Sequence, residues 1–141
     1  MDSSLEIAER FEQLIAFLSS HLPEPVEQEP DDQGGIIFTG GSPGEVVAHL
    51  TESSVVIGEY RVRWENMFTP RVAPRRVGVV KWRRLPETEL MNAVASLIKG
   101  AREMRRAQYR ICHSCEKINP PEWMRSGDVC QECAGDSSVV H

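Results

Sequence analysis

The most specific chemical signal in the chain is Cys112-His113-Ser114-Cys115, followed after fourteen residues by Cys130-Gln131-Glu132-Cys133. A Cys-x-x-Cys pair turns the backbone so that both sulfurs meet one ion. Two such pairs supply the four thiolates that satisfy tetrahedral zinc at about 2.3 Å. Metal binding then becomes folding energy, because the segment is too short to bury a core of its own. The expectation is one Zn²⁺ per chain on Cys112, Cys115, Cys130 and Cys133. An iron–sulfur cluster, a lone iron ion and a redox dithiol are the alternatives. Four sulfurs close the shell, whereas a catalytic zinc keeps one position for water, so the expected site is structural. No His-Glu-x-x-His stretch occurs, and Val129 stands where zinc deaminases carry a proline. His113 reads as a solvent-facing side chain between two ligands.

Residues 110–135 resemble the broad four-cysteine zinc-finger class, which includes zinc ribbons and treble clefs. The resemblance implies a small metal-knit unit of the kind that serves transcription, translation or protein docking. Glu116 follows the second cysteine, where the ribbon knuckle commonly has glycine. Arg110, Lys117 and Arg125 are placed to offset the negative charge of a four-thiolate zinc complex. Asn119-Pro120-Pro121-Glu122-Trp123-Met124 forces an extended path and carries two large apolar side chains. Trp123 either packs back on the preceding helix or, with Met124, anchors a partner, since tryptophan is enriched at binding hot spots. Residues 1–111 carry no such resemblance.

The elements that must hold this unit follow from hydrophobic periodicity. Residues 1–22 predict an N-terminal helix, with a Ser3–Glu6 capping box and an apolar face of Ile7, Phe11, Leu14, Ile15 and Leu18. Residues 23–33, acidic and proline-rich, read as an extended, solvated linker. From Gly34 to Leu85 short β-branched and aromatic runs predict an antiparallel sheet of about four strands: 36–39, 45–50, 54–64 and 76–84. Ser42-Pro43 with Glu45 offers residues 43–51 a helical alternative, and the strand reading is preferred. Gly40-Gly41-Ser42-Pro43-Gly44 reads as a turn, since a phosphate loop would need its lysine. In the third run Val56, Tyr60, Val62 and Trp64 are expected on the core face and Glu59, Arg61 and Arg63 on the other. In the fourth, Val80 and Trp82 point inward, and Lys81 and Arg83 outward. Residues 65–75 read as a loop. Pro86 opens a long helix over 86–110, with Leu90, Val94, Leu97, Ile98, Ala101 and Met104 as its buried stripe. The fold class is α+β: helix, linker, a core over 34–111, and a four-cysteine finger over 112–141.

Charge sharpens the partner question. The 141 residues carry a net charge of −5, with 40% hydrophobic and 26% charged residues, which excludes wholesale disorder. The charge is uneven: residues 1–59 carry −11, residues 60–111 carry +9, and residues 112–141 carry −3. Arg61, Arg63, Lys81, Arg83, Lys99, Arg102, Arg106 and Arg110 form a candidate surface for an anionic partner such as nucleic acid. The acidic first 59 residues offer those same cations an internal or intersubunit counter-surface. With Tyr60, Trp64 and Trp82 expected inside, no exposed stacking platform is evident.

No basic leader and no apolar run of membrane length appears, so a cytoplasmic location and reduced thiols are expected. The four histidines are scattered, without a nucleophile elbow or triad partner. The preferred reading is a non-enzymatic zinc protein acting as a protein-interaction or regulatory module, with another protein as partner. Nucleic-acid binding through the basic middle is the first alternative. A zinc–thiolate redox sensor is the second. A homo-oligomer is compatible with all three.

Overall fold

The computed structural model describes residues 3–66, 69–124 and 128–133, with side chains from Leu5 onward. Helix α1 spans Ser3–His21 and stops before Pro23, which cannot donate to another turn. Its expected apolar face is the buried one: Leu14 and Leu18 are fully enclosed, with Ile7, Phe11 and Ile15 packed around them. The Ser3–Glu6 cap falls outside the described side chains.

Five strands then form one antiparallel sheet in the order β1-β2-β3-β4-β7: β1 Val26–Pro30, β2 Ile36–Gly40, β3 Val46–Leu50, β4 Val55–Glu59 and β7 Arg75–Val80. The fifth strand comes from the stretch expected to be a solvated linker. Val26–Pro30 pairs with β2 in register, from Val26 opposite Gly40 to Pro30 opposite Ile36. Its acids do not prevent pairing because Glu27 and Glu29 remain exposed on an edge strand, where charge and proline guard against further pairing. The strand reading of residues 45–50 is borne out by β3.

The third expected run does not stay in one sheet. β4 ends at Glu59, and the chain leaves through Tyr60 and Arg61 into a separate ribbon of β5 Val62–Trp64 and β6 Pro70–Val72. The stretch expected to be a loop thus contains a strand. The faces are also reversed. Val55, Ile57 and Glu59 point into the core, while Val56 lies on the open face and Trp64 is 47% exposed. Val55, Val56 and Ile57 are all apolar, so alternation alone cannot choose the inward set. Glu59 can be buried because Arg61 Nε donates to one carboxylate oxygen at 2.9 Å and Gln108 Nε2 to the other at 2.8 Å.

Helix α2, Glu87–Arg106, lies across β3, β4 and β7. It approaches closely at Gly78, where an added Cβ would sit 2.6 Å from Leu97 Cδ2. Leu90, Val94, Ile98 and Ala101 are buried as expected, and the stripe ends in Arg105. Met104 is 37% exposed rather than buried, because the 4-4-3-4 spacing of that stripe carries it to residue 105. Phe38, Ala48, Leu50, Val55, Ile57 and Val80 complete the core from the sheet. Trp82 is fully enclosed as expected: its indole N–H donates to the Thr51 carbonyl at 2.9 Å and its ring meets Phe11 at 6.0 Å. Arg10, the lone base of the acidic segment, clamps α1 to the β7–α2 connection by donating to the carbonyls of Trp82 and Leu85. Among the described residues, no helix is long and apolar enough to cross a membrane.

Candidate metal centre

The helix does not run straight into the cysteines. α2 ends at Arg106, and the chain turns into a short hairpin of β8 Arg110–Ile111 and β9 Ile118–Asn119. Residues 112–117 are its loop, closed by the Cys112 N–H on the Lys117 carbonyl at 3.0 Å. Inside it, the Glu116 N–H meets the Cys112 carbonyl at 2.9 Å and the Ser114 N–H points at Cys112 Sγ at 3.4 Å. Glu116 itself sits at φ 60°, the left-handed region that glycine favours.

The second pair arrives through an antiparallel bridge between Met124 and Cys130, after which residues 131–133 are helical. The His113 N–H donates to the Asp128 carbonyl at 2.7 Å, and the Cys130 N–H points at Cys112 Sγ at 3.4 Å. These bonds lock the two pairs together. The four Sγ atoms all lie within 4.8 Å of one another, and Cys115 and Cys130 are 3.9 Å apart. A tetrahedron with 2.3 Å zinc–sulfur bonds has sulfur–sulfur edges of about 3.8 Å, so the donor set fits a single ion. Backbone N–H groups of Cys130 and Cys115 hold the Cys112 thiol down at about 6 against the opposing effect of burial. Hydrogen bonding to the Cys130 and Cys115 sulfurs drives Cys133 the other way, well above the ordinary thiol range. A divalent cation takes cysteine ligands in the thiolate form, so metal binding at such a set releases protons.

A second centre, unseen in the sequence, fastens this finger to the body. Arg105, 1% exposed, forms a two-pronged ion pair with Glu122, Nη1 at 2.9 Å and Nη2 on the other oxygen. Its Nε donates to the Gly44 carbonyl at 2.9 Å, and its guanidinium lies 5.2 Å from the Tyr60 ring and 5.3 Å from that of Tyr109. Burial works against its charge, but the hydrogen bonds and charge of Glu122 outweigh it and hold the pKa above the usual arginine value. Gln131, between the cysteines of the second pair, donates to the Glu122 carbonyl at 3.1 Å. Metal loop, Glu122 and helix α2 are thus mechanically continuous. The available signal was positional: Arg105 continues the Leu90-Val94-Ile98-Ala101 stripe.

The basic residues do not share one surface. β4 and β7 are antiparallel, so Arg61, beyond Glu59, and Lys81, beyond Val80, leave from opposite ends of the sheet. Arg102 and Arg106 reach Glu45 at 2.9 and 3.7 Å, and Arg61 is held by Glu59. Arg83 donates to the Glu52 carbonyl and lies over Trp82. Arg63, Lys81, Lys99 and Arg110 are exposed. The acidic segment does supply a partial internal counter-surface, through Glu45 and Glu59.

Trp123 ends a 3₁₀ turn over Pro121–Trp123 and is 47% exposed, with Met124 half-buried beside it. With Tyr60 and Trp64, Trp123 lines a cleft of about 380 Å³ between the β5–β6 ribbon and the finger. His113 is exposed, and Arg125 lies outside the described residues. Sequence reasoning also missed Asp31, which accepts from His49 Nε2 at 2.6 Å and from the Gln33 and Gly35 N–H groups at 2.7 Å each. Those bonds, His49 foremost, hold its carboxyl below the usual range.

Comparison with known proteins returns no match: no protein-family model fits the sequence, and neither a curated protein nor a solved structure is detectably similar to it.

Proposed function

We propose that this chain is a non-enzymatic zinc protein whose four-cysteine site is structural and whose finger acts as a protein-interaction or regulatory module. The observation that carries this reading is the closed sulfur shell: four Sγ atoms within 4.8 Å of one another fill a tetrahedron and leave no position for a substrate or water. Zinc is the ion of choice because a tetrahedral four-sulfur set suits it and it carries no redox chemistry. The hairpin loop, the strand bridge and the helical turn after Gln131 favour a treble-clef-like arrangement over a ribbon. The finger's tie to α2 through Glu122 suits a unit that presents surface rather than one that catalyses.

Metal analysis of protein purified without added metal tests the reading directly. One zinc per chain is expected, lost together with finger structure on chelation and restored by zinc alone. Iron in its place, or a chelated protein with unchanged Trp123 environment, would defeat it. The extended eight-cation surface draws less support as a nucleic-acid site, because Arg61, Arg102 and Arg106 already meet carboxylates.

A further inference from the structure

We infer that the cleft between the β5–β6 ribbon and the finger docks a proline-rich segment of a partner protein in the polyproline II conformation. Its pyrrolidine rings lie against Trp64 and Trp123, and its backbone carbonyls accept from the donors of the cleft. The inference rests on the interaction-module reading and names the class of partner.

Strand alternation gives the ribbon one apolar face. Val62 stands opposite Val72 and Trp64 opposite Pro70, and all four line the cleft of about 380 Å³. Trp64 and Val72 are about half exposed, so this face is open to solvent. A two-stranded ribbon with its apolar face uncovered is marginal by itself, and a partner that covers it adds stability. Trp123, equally exposed, lines the same cleft from the finger. Tyr60 is the third ring of the lining; it packs against Gly44, where an added Cβ would collide with it, and beside the Arg105 guanidinium. That packing fixes part of the aromatic surface before any ligand arrives, which lowers the ordering cost of binding.

Charge and hydrogen bonding select the occupant. Two charged side chains line the cleft, and both are already paired: Arg71 with Glu65 at 2.8 Å, and Glu122 with Arg105. Arg63 lies on the opposite face of the ribbon, outside the lining. A phosphate backbone therefore finds no unpaired cation here, and an ammonium group no unpaired acid. Gln131 donates to the Glu122 carbonyl. The polar groups left over are the indole N–H groups of Trp64 and Trp123 and the Tyr60 hydroxyl, none with a partner among the described residues. Uncharged donors on an aromatic surface match a ligand rich in carbonyls and apolar rings and poor in N–H groups. Proline carries a carbonyl without an N–H, and the polyproline II backbone makes no internal hydrogen bonds, so its carbonyls are free. A helix satisfies most of its carbonyls internally, and an extended strand brings about as many N–H groups as carbonyls. With three residues per turn, a Pro-x-x-Pro segment also sets two rings on one side, the mode in which such segments enter aromatic-lined grooves.

The test titrates the full chain, with its zinc content measured in the same sample, against decaproline and a length-matched glycine–serine peptide. Decaproline should bind saturably and change the exposed-tryptophan emission, and the glycine–serine peptide should do neither. Binding should be nearly independent of salt, because the cleft has no free charge, whereas a phosphate ligand would weaken steeply. Trp64→Ala and Trp123→Ala should each weaken binding by about tenfold or more. Trp64→Phe and Trp123→Phe, which keep a ring but lose the N–H, should each weaken it only about fivefold, and unfolding transitions show that each variant is folded. Arg63→Glu, on the other face of the ribbon, should leave binding unchanged. A folded, zinc-loaded sample that ignores decaproline overturns the proposal, as does binding that survives loss of both indoles or collapses with salt. Emission changes with oligothymidylate and none with decaproline would assign the cleft to nucleic acid and equally overturn it. Zinc content tests the metal reading separately: a zinc-loaded sample without binding defeats the cleft alone, and a metal-free sample that binds decaproline defeats the zinc alone.

Discussion

Arg105 and Glu122 are a buried, two-pronged ion pair that joins the last turn of α2 to the loop between the cysteine pairs. Seventeen residues separate them, yet this contact decides how the finger sits on the body. Removing one partner strands the other charge away from water. Arg105→Ala should destabilise the zinc-loaded protein by about 3–5 kcal/mol in urea unfolding. Adding Glu122→Ala should recover part of that loss, because the paired groups are coupled. Arg105→Lys should rescue poorly, since an ammonium cannot hold both carboxylate oxygens and the Gly44 carbonyl in one planar fork.

Glu116 occupies the left-handed region at φ 60° in the first cysteine loop. A side chain there costs about 1 kcal/mol, which glycine avoids. Glu116→Gly should therefore raise the stability of the zinc-loaded protein by up to about 1 kcal/mol, and Glu116→Val should lower it. Thermal unfolding at fixed zinc concentration reads both.

Tyr109 carries a buried hydroxyl with no hydrogen-bond partner among the described residues, and burial raises its pKa. The ring packs on Arg105 and is the useful part. Tyr109→Phe should keep that contact and shed an unsatisfied polar atom, so its unfolding free energy should equal or exceed that of the parent by up to about 1 kcal/mol. Tyr109→Ala should be clearly destabilised.

Asp31 gives the fold an acid-sensitive latch. Its carboxyl is depressed first by the His49 hydrogen bond and then by the Gln33 and Gly35 N–H groups. A depressed folded-state pKa means the unfolded chain binds the proton more readily, so the latch stabilises fully above the ordinary aspartate value of about 3.9. That contribution is lost as pH falls through the depressed value. Asp31→Asn should thus be less stable than the parent at neutral pH, and the gap should close toward strongly acidic pH. Denaturant midpoints across an acid pH series measure it.

The four cysteines of the candidate metal site and the fold class are the parts that sequence alone determined. Cysteine spacing is a local rule, and the two pairs do bring their sulfurs together. Helical periodicity likewise identified α1 and α2, because an apolar stripe such as Leu90-Val94-Ile98 has meaning without knowing what it packs against. What failed was whatever depends on a distant partner. Glu59 is buried because Gln108, forty-nine residues away, satisfies it. Val26–Pro30 became a strand because β2 offered a free edge to residues that local composition marks as solvated. Trp64 is exposed because the chain leaves the sheet after Glu59, which no alternation of apolar residues encodes. Sequence names the residues able to do chemistry. Long-range pairing and desolvation decide which charges are neutralised inside and which aromatic rings are left facing solvent.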